Sequence, residues 1–226
     1  MPPLRNRTPH EPVHHPFFAR VYGRLSPVLD ERAGVRAYRR ELLAGLSGRV
    51  IEIGAGNGLN FAHYPGTVSE VVAIEPERRL RRMAAEAAVR AGVPVDVVPA
   101  TAEALPVKSE AFDAAVASLV LCSVRDVRRS LSELRRVLRP GGELRFFEHV
   151  CAQGRLLATA QQVLDATVWP AAFGGCHTGR DTLRAIEAAG FEPVTYRRLR
   201  VPEGRLPLPA SSCVLGMARR PAESGS

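Results

Sequence analysis

An apolar strand runs directly into three alternate glycines in Arg49-Val50-Ile51-Glu52-Ile53-Gly54-Ala55-Gly56-Asn57-Gly58. Bare backbone at that spacing lets a polar ligand come close to peptide N–H groups. A second apolar stretch, Val71-Val72-Ala73-Ile74, delivers Glu75-Pro76 nearby. A carboxylate there can accept two hydrogen bonds from a ribose diol, each charge-assisted and worth about 1.5–3 kcal/mol. Capping of the helix that begins near Pro76-Glu77 is the competing use of Glu75, and its spacing to the glycines favours ribose. The chemistry is therefore nucleoside-cofactor binding. A dinucleotide fingerprint needs its third glycine three residues after the second, where this chain has Leu59, and the lysine that closes a phosphate-binding P-loop is missing.

Other side chains point to proton transfer and to an organic substrate. His149 directly follows an apolar strand, and imidazole accepts a proton near neutral pH; a hydrogen bond across its loop is the plainer use. Asp165 is a second catalytic candidate, able to orient a histidine or to cap a helix. Trp169 and Phe173 read as an apolar wall, and Phe18, Cys122 and His177 complete the expected substrate-binding set. The adjacent Cys176-His177 is not read as a nucleophilic pair, because neighbouring residues rarely aim their side chains at one another. Cys122, Cys151, Cys176 and Cys213 are widely scattered without zinc-type spacing, so no metal site is expected.

These residues need a scaffold, and the central region alternates strand and helix. Strands are expected over Val50–Ile53, Val71–Ile74, Val95–Val98, Phe112–Leu121 and Glu143–Glu148, with helices over Arg78–Ala91 and Arg128–Leu138. This arrangement puts Gly54, Glu75, Thr101 and Ser118 at the carboxyl ends of neighbouring strands, where open α/β sheets bind ligands. Residues 1–16 read as an irregular leader containing His14 and His15, and residues 17–226 as one domain. Within it, residues 17–48 form a helical cap, broken near Pro27, and residues 151–180 a substrate-pocket segment. Phe18 and Tyr22 of the cap are placed to close over the site. Late strands over Phe191–Arg200 and Ser212–Ala218 read as a broad hairpin adding an antiparallel edge.

The chain of 226 residues, 46% of them apolar, fits a single domain with a real core. Its formal charge of +8 would suit nucleic acid or an anionic membrane, but Lys108 is the only lysine, and arginine elsewhere reads as coding bias on solvated helix faces. Nucleic acid is disfavoured unless the arginines make one continuous strip. Residues 1–16 hold no long apolar run, so neither a secretory signal nor a membrane span is expected, and the expected location is cytoplasmic with free thiols. Monomer and homodimer are both compatible with the sequence.

Val50 to Gly58, Ile74-Glu75-Pro76, Ala102-Glu103-Ala104-Leu105-Pro106, Phe112-Asp113-Ala114 and Leu134 to Leu144 together resemble the class I S-adenosylmethionine-dependent methyltransferases. The resemblance implies a Rossmann-like α/β fold, a seven-stranded mostly parallel sheet with an antiparallel last strand and helices on both faces. It implies S-adenosyl-L-methionine as cofactor and S-adenosyl-L-homocysteine as product. The cofactor site would comprise Tyr22, Glu52, Gly54, Ala55, Gly56, Asn57, Gly58, Glu75, Pro76, Thr101, Ala102, Glu103, Ser118 and Leu119. Thr101 stands where the family usually has an acidic residue against the adenine amine. Asn60-Phe61, Tyr64-Pro65, Leu119 to Val124, Glu148-His149-Val150, Gln162 to Asp165, Trp169 and Gly175-Cys176 look, more narrowly, like the small-molecule thiol methyltransferases of animal endoplasmic reticulum and their bacterial relatives. This implies direct attack by a thiol on the methyl group. Oxygen, nitrogen or carbon acceptors, a nicotinamide oxidoreductase and a noncatalytic cofactor-binding protein are the alternatives.

Overall fold

A computed structural model describes residues 16–203 and 208–222. Apart from Pro16, the expected leader with His14 and His15 lies outside these residues, as does 204–207 in the last connection. Seven strands form one sheet: β1 (Gly48–Ile53), β2 (Val68–Ile74), β3 (Val95–Val98), β4 (Phe112–Ser118), β5 (Leu138–His149), β6 (Glu192–Arg200) and β7 (Ser212–Arg219). Their order is β3-β2-β1-β4-β5-β7-β6. All pairings are parallel except those of β7, which runs against both β5 and β6. The reversed last strand is as the sequence implies. The late hairpin adds the expected antiparallel edge, with β7 against β5 and β6 outermost. Composition explains this, since β7 contributes the buried Cys213, Val214 and Leu215, whereas β6 carries Arg197, Arg198 and Arg200 on an exposed strand, and edge charges discourage further pairing.

Successive strand residues point to opposite faces, and the chain uses both. Ile51, Ile53, Ile74, Ala115, Phe146 and Val214 pack on one side with Leu131 and Leu134 of α4 (Val127–Val137) and Ile186 of α7 (Thr182–Ala188). Val50, Val71, Ala73, Val116, Phe147 and Leu215 pack on the other with Tyr38, Leu42 and Leu43 of α2 (Val35–Leu43). Glu77 caps α3 (Arg78–Ala88), accepting from Arg79 N at 2.7 Å and Leu80 N at 2.9 Å. Strand order reverses between β1 and β4, so the glycine loop after β1 lies at the switch point where open sheets bind ligands.

One expectation about the helices needs correction. The amino-terminal segment is one helix, α1 (Pro16–Arg32), with Pro27 inside it. The single hydrogen bond that proline forfeits is outweighed by packing along α1, where Gly23 lies against Met83 of α3. The segment after β5 forms α5 (Arg155–Asp165) and then the short α6 (Trp169–Ala172), with proline at its start. No helix among the described residues is long and apolar enough to cross a membrane.

One buried charge joins several of these parts. Arg39 of α2 is 5% exposed. Its Nε donates to Asp30 of α1 at 2.6 Å, and its Nη1 donates to Asn60 Oδ1 at 2.9 Å and to Ser118 Oγ at 3.0 Å at the end of β4. Arg39→Met is expected to cost about 3 kcal/mol, because Asp30 is left without its cation, and to lower the melting temperature by roughly 8 °C. Adding Asp30→Asn should recover part of that loss in a double-mutant cycle. Melting of R39M at the wild-type temperature would contradict the network.

Candidate functional site

The loop after β1 is built around backbone that only glycine tolerates. Gly54, Gly56 and Gly58 have φ of 61°, 59° and 80°. A Cβ at Gly54 would stand 2.2 Å from Val120 Cγ2, and one at Gly58 2.8 Å from Ala87 Cβ, so these two permit close packing. Gly56 differs: a Cβ there would meet only the Tyr22 ring, at 3.6 Å. Its N–H donates to Glu75 Oε2 at 2.8 Å, while Glu75 Oε1 accepts from Glu77 N at 2.8 Å. Glu75 therefore does not cap α3, which is the work of Glu77. Each Glu75 oxygen keeps one acceptor lone pair, as a ribose diol requires. Burial pushes this carboxyl up to about 7, against the two N–H donors that favour its charged form. The donor set thus fits a nucleoside cofactor.

Around this pair the other expected cofactor residues divide. Tyr22, on α1, lies beside Gly56 and stacks on Phe18 with ring centroids 5.1 Å apart; burial raises its hydroxyl pKa. Ala55 N donates to Ile74 O, and Asn57 Nδ2 donates to Ser26 Oγ at 3.0 Å, fastening the loop to β2 and α1. Thr101 pairs with Ala104 in an isolated bridge, and Ala102 belongs to the core. Leu119 adopts a φ of 57°, unusual for a branched residue, and Ser118 Oγ is held by Arg39.

Two acidic residues expected at the cofactor are turned elsewhere. Glu52 is buried, with Oε1 accepting from Asn60 Nδ2 at 2.8 Å and Oε2 from Tyr64 OH at 2.7 Å. Desolvation raises it to about 7 in spite of these donors. Glu103 Oε1 accepts from Arg125 N at 3.0 Å, so this side chain ties the loop after β3 to the loop after β4.

Beyond β4 and β5 lies the expected acceptor end. Glu148 is fully buried, and its carboxylate accepts from Val120 N, Leu121 N and Cys122 N at 3.0, 2.9 and 3.2 Å. That clamp fixes Cys122 beside His149. The Nδ1 of His149 lies 3.6 Å from Cys122 Sγ and 3.6 Å from Cys176 Sγ, and the two sulfurs are 3.7 Å apart. The expectation of no coherent ligand set is thereby corrected: these three potential ligand atoms converge, from segments distant in the chain. Burial opposes charge on His149, but the neighbouring Cys122 sulfur and Glu148 carboxylate outweigh it and raise its pKa. The Cys176 sulfur, together with burial, drives the Cys122 thiol well up, whereas Cys122 holds Cys176 down.

Trp169 and Phe173 stack with centroids 4.0 Å apart, and Trp169 Nε1 is buried without a hydrogen-bond partner among the described residues. Phe18 reaches the same region from α1, since a Cβ on Gly174 would stand 2.7 Å from its ring. The aromatic pair Phe18 and Tyr22 therefore bridges the glycine loop and the 174 turn. His177 donates its backbone N–H to Cys122 O at 2.8 Å, and its Nδ1 is 2.8 Å from Gly175 O. The catalytic expectation for Asp165 is corrected. Its Oδ1 accepts from Thr178 N and its Oδ2 from Gly179 N, both at 2.8 Å, so it shapes the turn that carries Cys176 and His177.

Sequence reasoning missed Arg39, Glu148 and Gln161. Gln161 of α5 is fully buried and holds Ala152 N, Val150 O, Thr178 O and Pro209 O. A signal existed for Arg39, because Val35, Tyr38, Arg39 and Leu42 share one helix face by their i, i+3, i+4, i+7 spacing. Glu148 belongs to the Glu148-His149-Val150 stretch that carries the resemblance, but nothing in its place after the apolar Phe146-Phe147 names its partners.

Residues 51–146 match the family described as "Methyltransferase domain". Human thiol S-methyltransferase TMT1B is 33% identical over 211 residues, covering 88% of this chain and 84% of that protein. Human thiol S-methyltransferase TMT1A is 35% identical over 165 residues, covering 70% and 67%. Among solved structures, the N-methyltransferase NodS from Bradyrhizobium japonicum WM9, in complex with S-adenosyl-L-homocysteine, shares the fold with a TM-score of 0.63 at 20% identity, covering 88% of this chain and 91% of that one. With its strand order, its glycine loop and the carboxylate that meets that loop, the chain belongs to the class I S-adenosylmethionine-dependent methyltransferases.

Proposed function

We propose that this methyltransferase acts on the sulfur of a small apolar thiol. The observation that supports the reading is the cluster beyond β4 and β5, where the imidazole of His149 stands among two thiols, with the stacked Trp169 and Phe173 on the segment that leads to Cys176. The likeness to proteins named thiol S-methyltransferases, at 33% and 35% identity, supports it. Bound S-adenosylmethionine supplies an electrophilic methyl group on a sulfonium sulfur, which needs alignment and exclusion of water more than covalent help.

In this reading Glu75 receives the ribose hydroxyls on its two remaining lone pairs, and the backbone at Gly54 and Gly56 admits the cofactor. Tyr22 borders the methyl-bearing end, with Pro76, Thr101, Ala102 and Leu119 toward the nucleoside. Trp169, Phe173 and Phe18 hold the organic part of the acceptor, beside Cys122 and His177. With Nδ1 engaged by the sulfurs, His149 uses Nε2 to take the proton of the acceptor thiol, whose own pKa near 8.5 leaves little thiolate at neutral pH. The unpaired cysteines suit a reducing, cytoplasmic setting.

Two measurements follow. Below about 7 the Glu75 carboxyl is protonated and loses acceptor capacity, so calorimetric affinity for S-adenosylmethionine should be weaker at pH 6 than at pH 8. Glu75→Gln should weaken binding by about 2 kcal/mol, roughly 30-fold, and flatten that pH dependence. Wild-type affinity in E75Q would remove Glu75 from the ribose. A base must be neutral to act, and the His149 pKa is raised, so the thiol methylation rate should climb with pH through a value above 6.5. In chelator-treated enzyme, His149→Asn should lower that rate about 100-fold at neutral pH and abolish the acid limb; an unchanged rate and profile would discard the base.

A further inference from the structure

We infer that Cys122, Cys176 and His149 form a three-ligand site for a zinc-class ion, with its fourth position open to an exogenous ligand. With zinc–sulfur bonds of about 2.3 Å and zinc–nitrogen bonds of about 2.0–2.1 Å, a tetrahedral site has sulfur–sulfur edges of about 3.8 Å and sulfur–nitrogen edges of about 3.6 Å. The observed edges are 3.7 Å between the sulfurs and 3.6 Å from each sulfur to Nδ1. All three edges of one tetrahedral face are thus present at the lengths the ion requires. Two cysteines and one histidine are moreover an established donor set for zinc sites that keep an open position.

The face is held by bonds that involve no ligand atom. Glu148 grips the three peptide N–H groups of residues 120–122, Cys176 N donates to Phe173 O at 3.1 Å, and His177 N donates to Cys122 O at 2.8 Å. Gly175, with φ of 86°, lets the turn carrying Cys176 approach closely, since a Cβ there would stand 2.9 Å from Ser123 O. Cys122 and Cys176 are buried, while His149 is only partly so. Preorganised donors lower the cost of gathering ligands around a metal.

One consequence rests on the thiol reading above. An acceptor thiol that enters the fourth position releases its proton to solvent and binds as the thiolate. With the ion in place, His149 is a ligand and the ion takes over acidification of the thiol.

The test is titration of reduced, chelator-stripped, full-length protein with cobalt(II), without methyl donor or thiol. One equivalent should produce a sulfur-to-cobalt charge-transfer band and the intense visible bands of tetrahedral cobalt, and zinc should displace them. Cys122→Ser, Cys176→Ser and His149→Ala should each weaken binding at least about 10-fold, whereas Cys151→Ser should leave it unchanged. As a measurement free of folding effects in variants, zinc should shield Cys122 and Cys176, but not Cys151, from alkylation in the wild-type chain. Absence of the bands, bands unaltered in C122S and C176S, or equal alkylation with and without zinc would overturn the site. A visible-band shift on adding a short alkanethiol supports its use as the acceptor seat, and an unshifted spectrum overturns that use. Because these readouts need no turnover, failure of the metal site and failure of thiol methylation are separable.

Discussion

Loops at the carboxyl edge of a parallel sheet must be irregular enough to form a site, yet their buried peptide groups still require partners. Here buried glutamates in or just after three strands hold the loops, two of them by accepting from peptide N–H groups and one by accepting from loop side chains. Glu52 on β1 holds Asn60 and Tyr64, Glu75 after β2 holds the N–H groups of Gly56 and Glu77, and Glu148 on β5 holds those of residues 120–122. Desolvation raises the pKa of all three. Burying acids is unfavourable unless they are well bonded, and each is bonded to a loop that the chemistry needs. The glycine turn, the end of β4 and the position of Cys122 all depend on this arrangement.

The two ends of the site are linked through α1. Tyr22 borders Gly56, Phe18 stacks on Tyr22, and Phe18 also meets the turn at Gly174. Arg39 ties α1 and α2 to the residues that follow β1 and end β4. The cap, the glycine loop and the turn at Gly174 therefore share contacts, so a change in the cap is felt at both ends.

Much of the sheet was legible because its strands are apolar runs punctuated by glycine and proline, and because the glycine loop and Glu75 lie at a recognisable spacing. Pattern could not say that β7 would insert beside β5, since that depends on which late strand carries the apolar surface and which the arginines. Nor could it say that Glu52 would serve Asn60 and Tyr64, or that Asp165 would serve a turn, because a carboxylate's partners are set by tertiary geometry. The largest gap concerned cysteine. Cys122 and Cys176 are far apart in sequence and looked unrelated, and only the turn shaped by Gly175, Asp165 and Gln161 brings them to His149.

In the proposed reaction the methyl group passes to sulfur. The most direct measurement is mass analysis after the enzyme is incubated with methyl-labelled S-adenosylmethionine and an equimolar panel of small thiols, phenols, amines and activated carbon acids. Labelled thioether is the expected main product. Label found only on oxygen, nitrogen or carbon, with the thiols recovered unmodified, would contradict it.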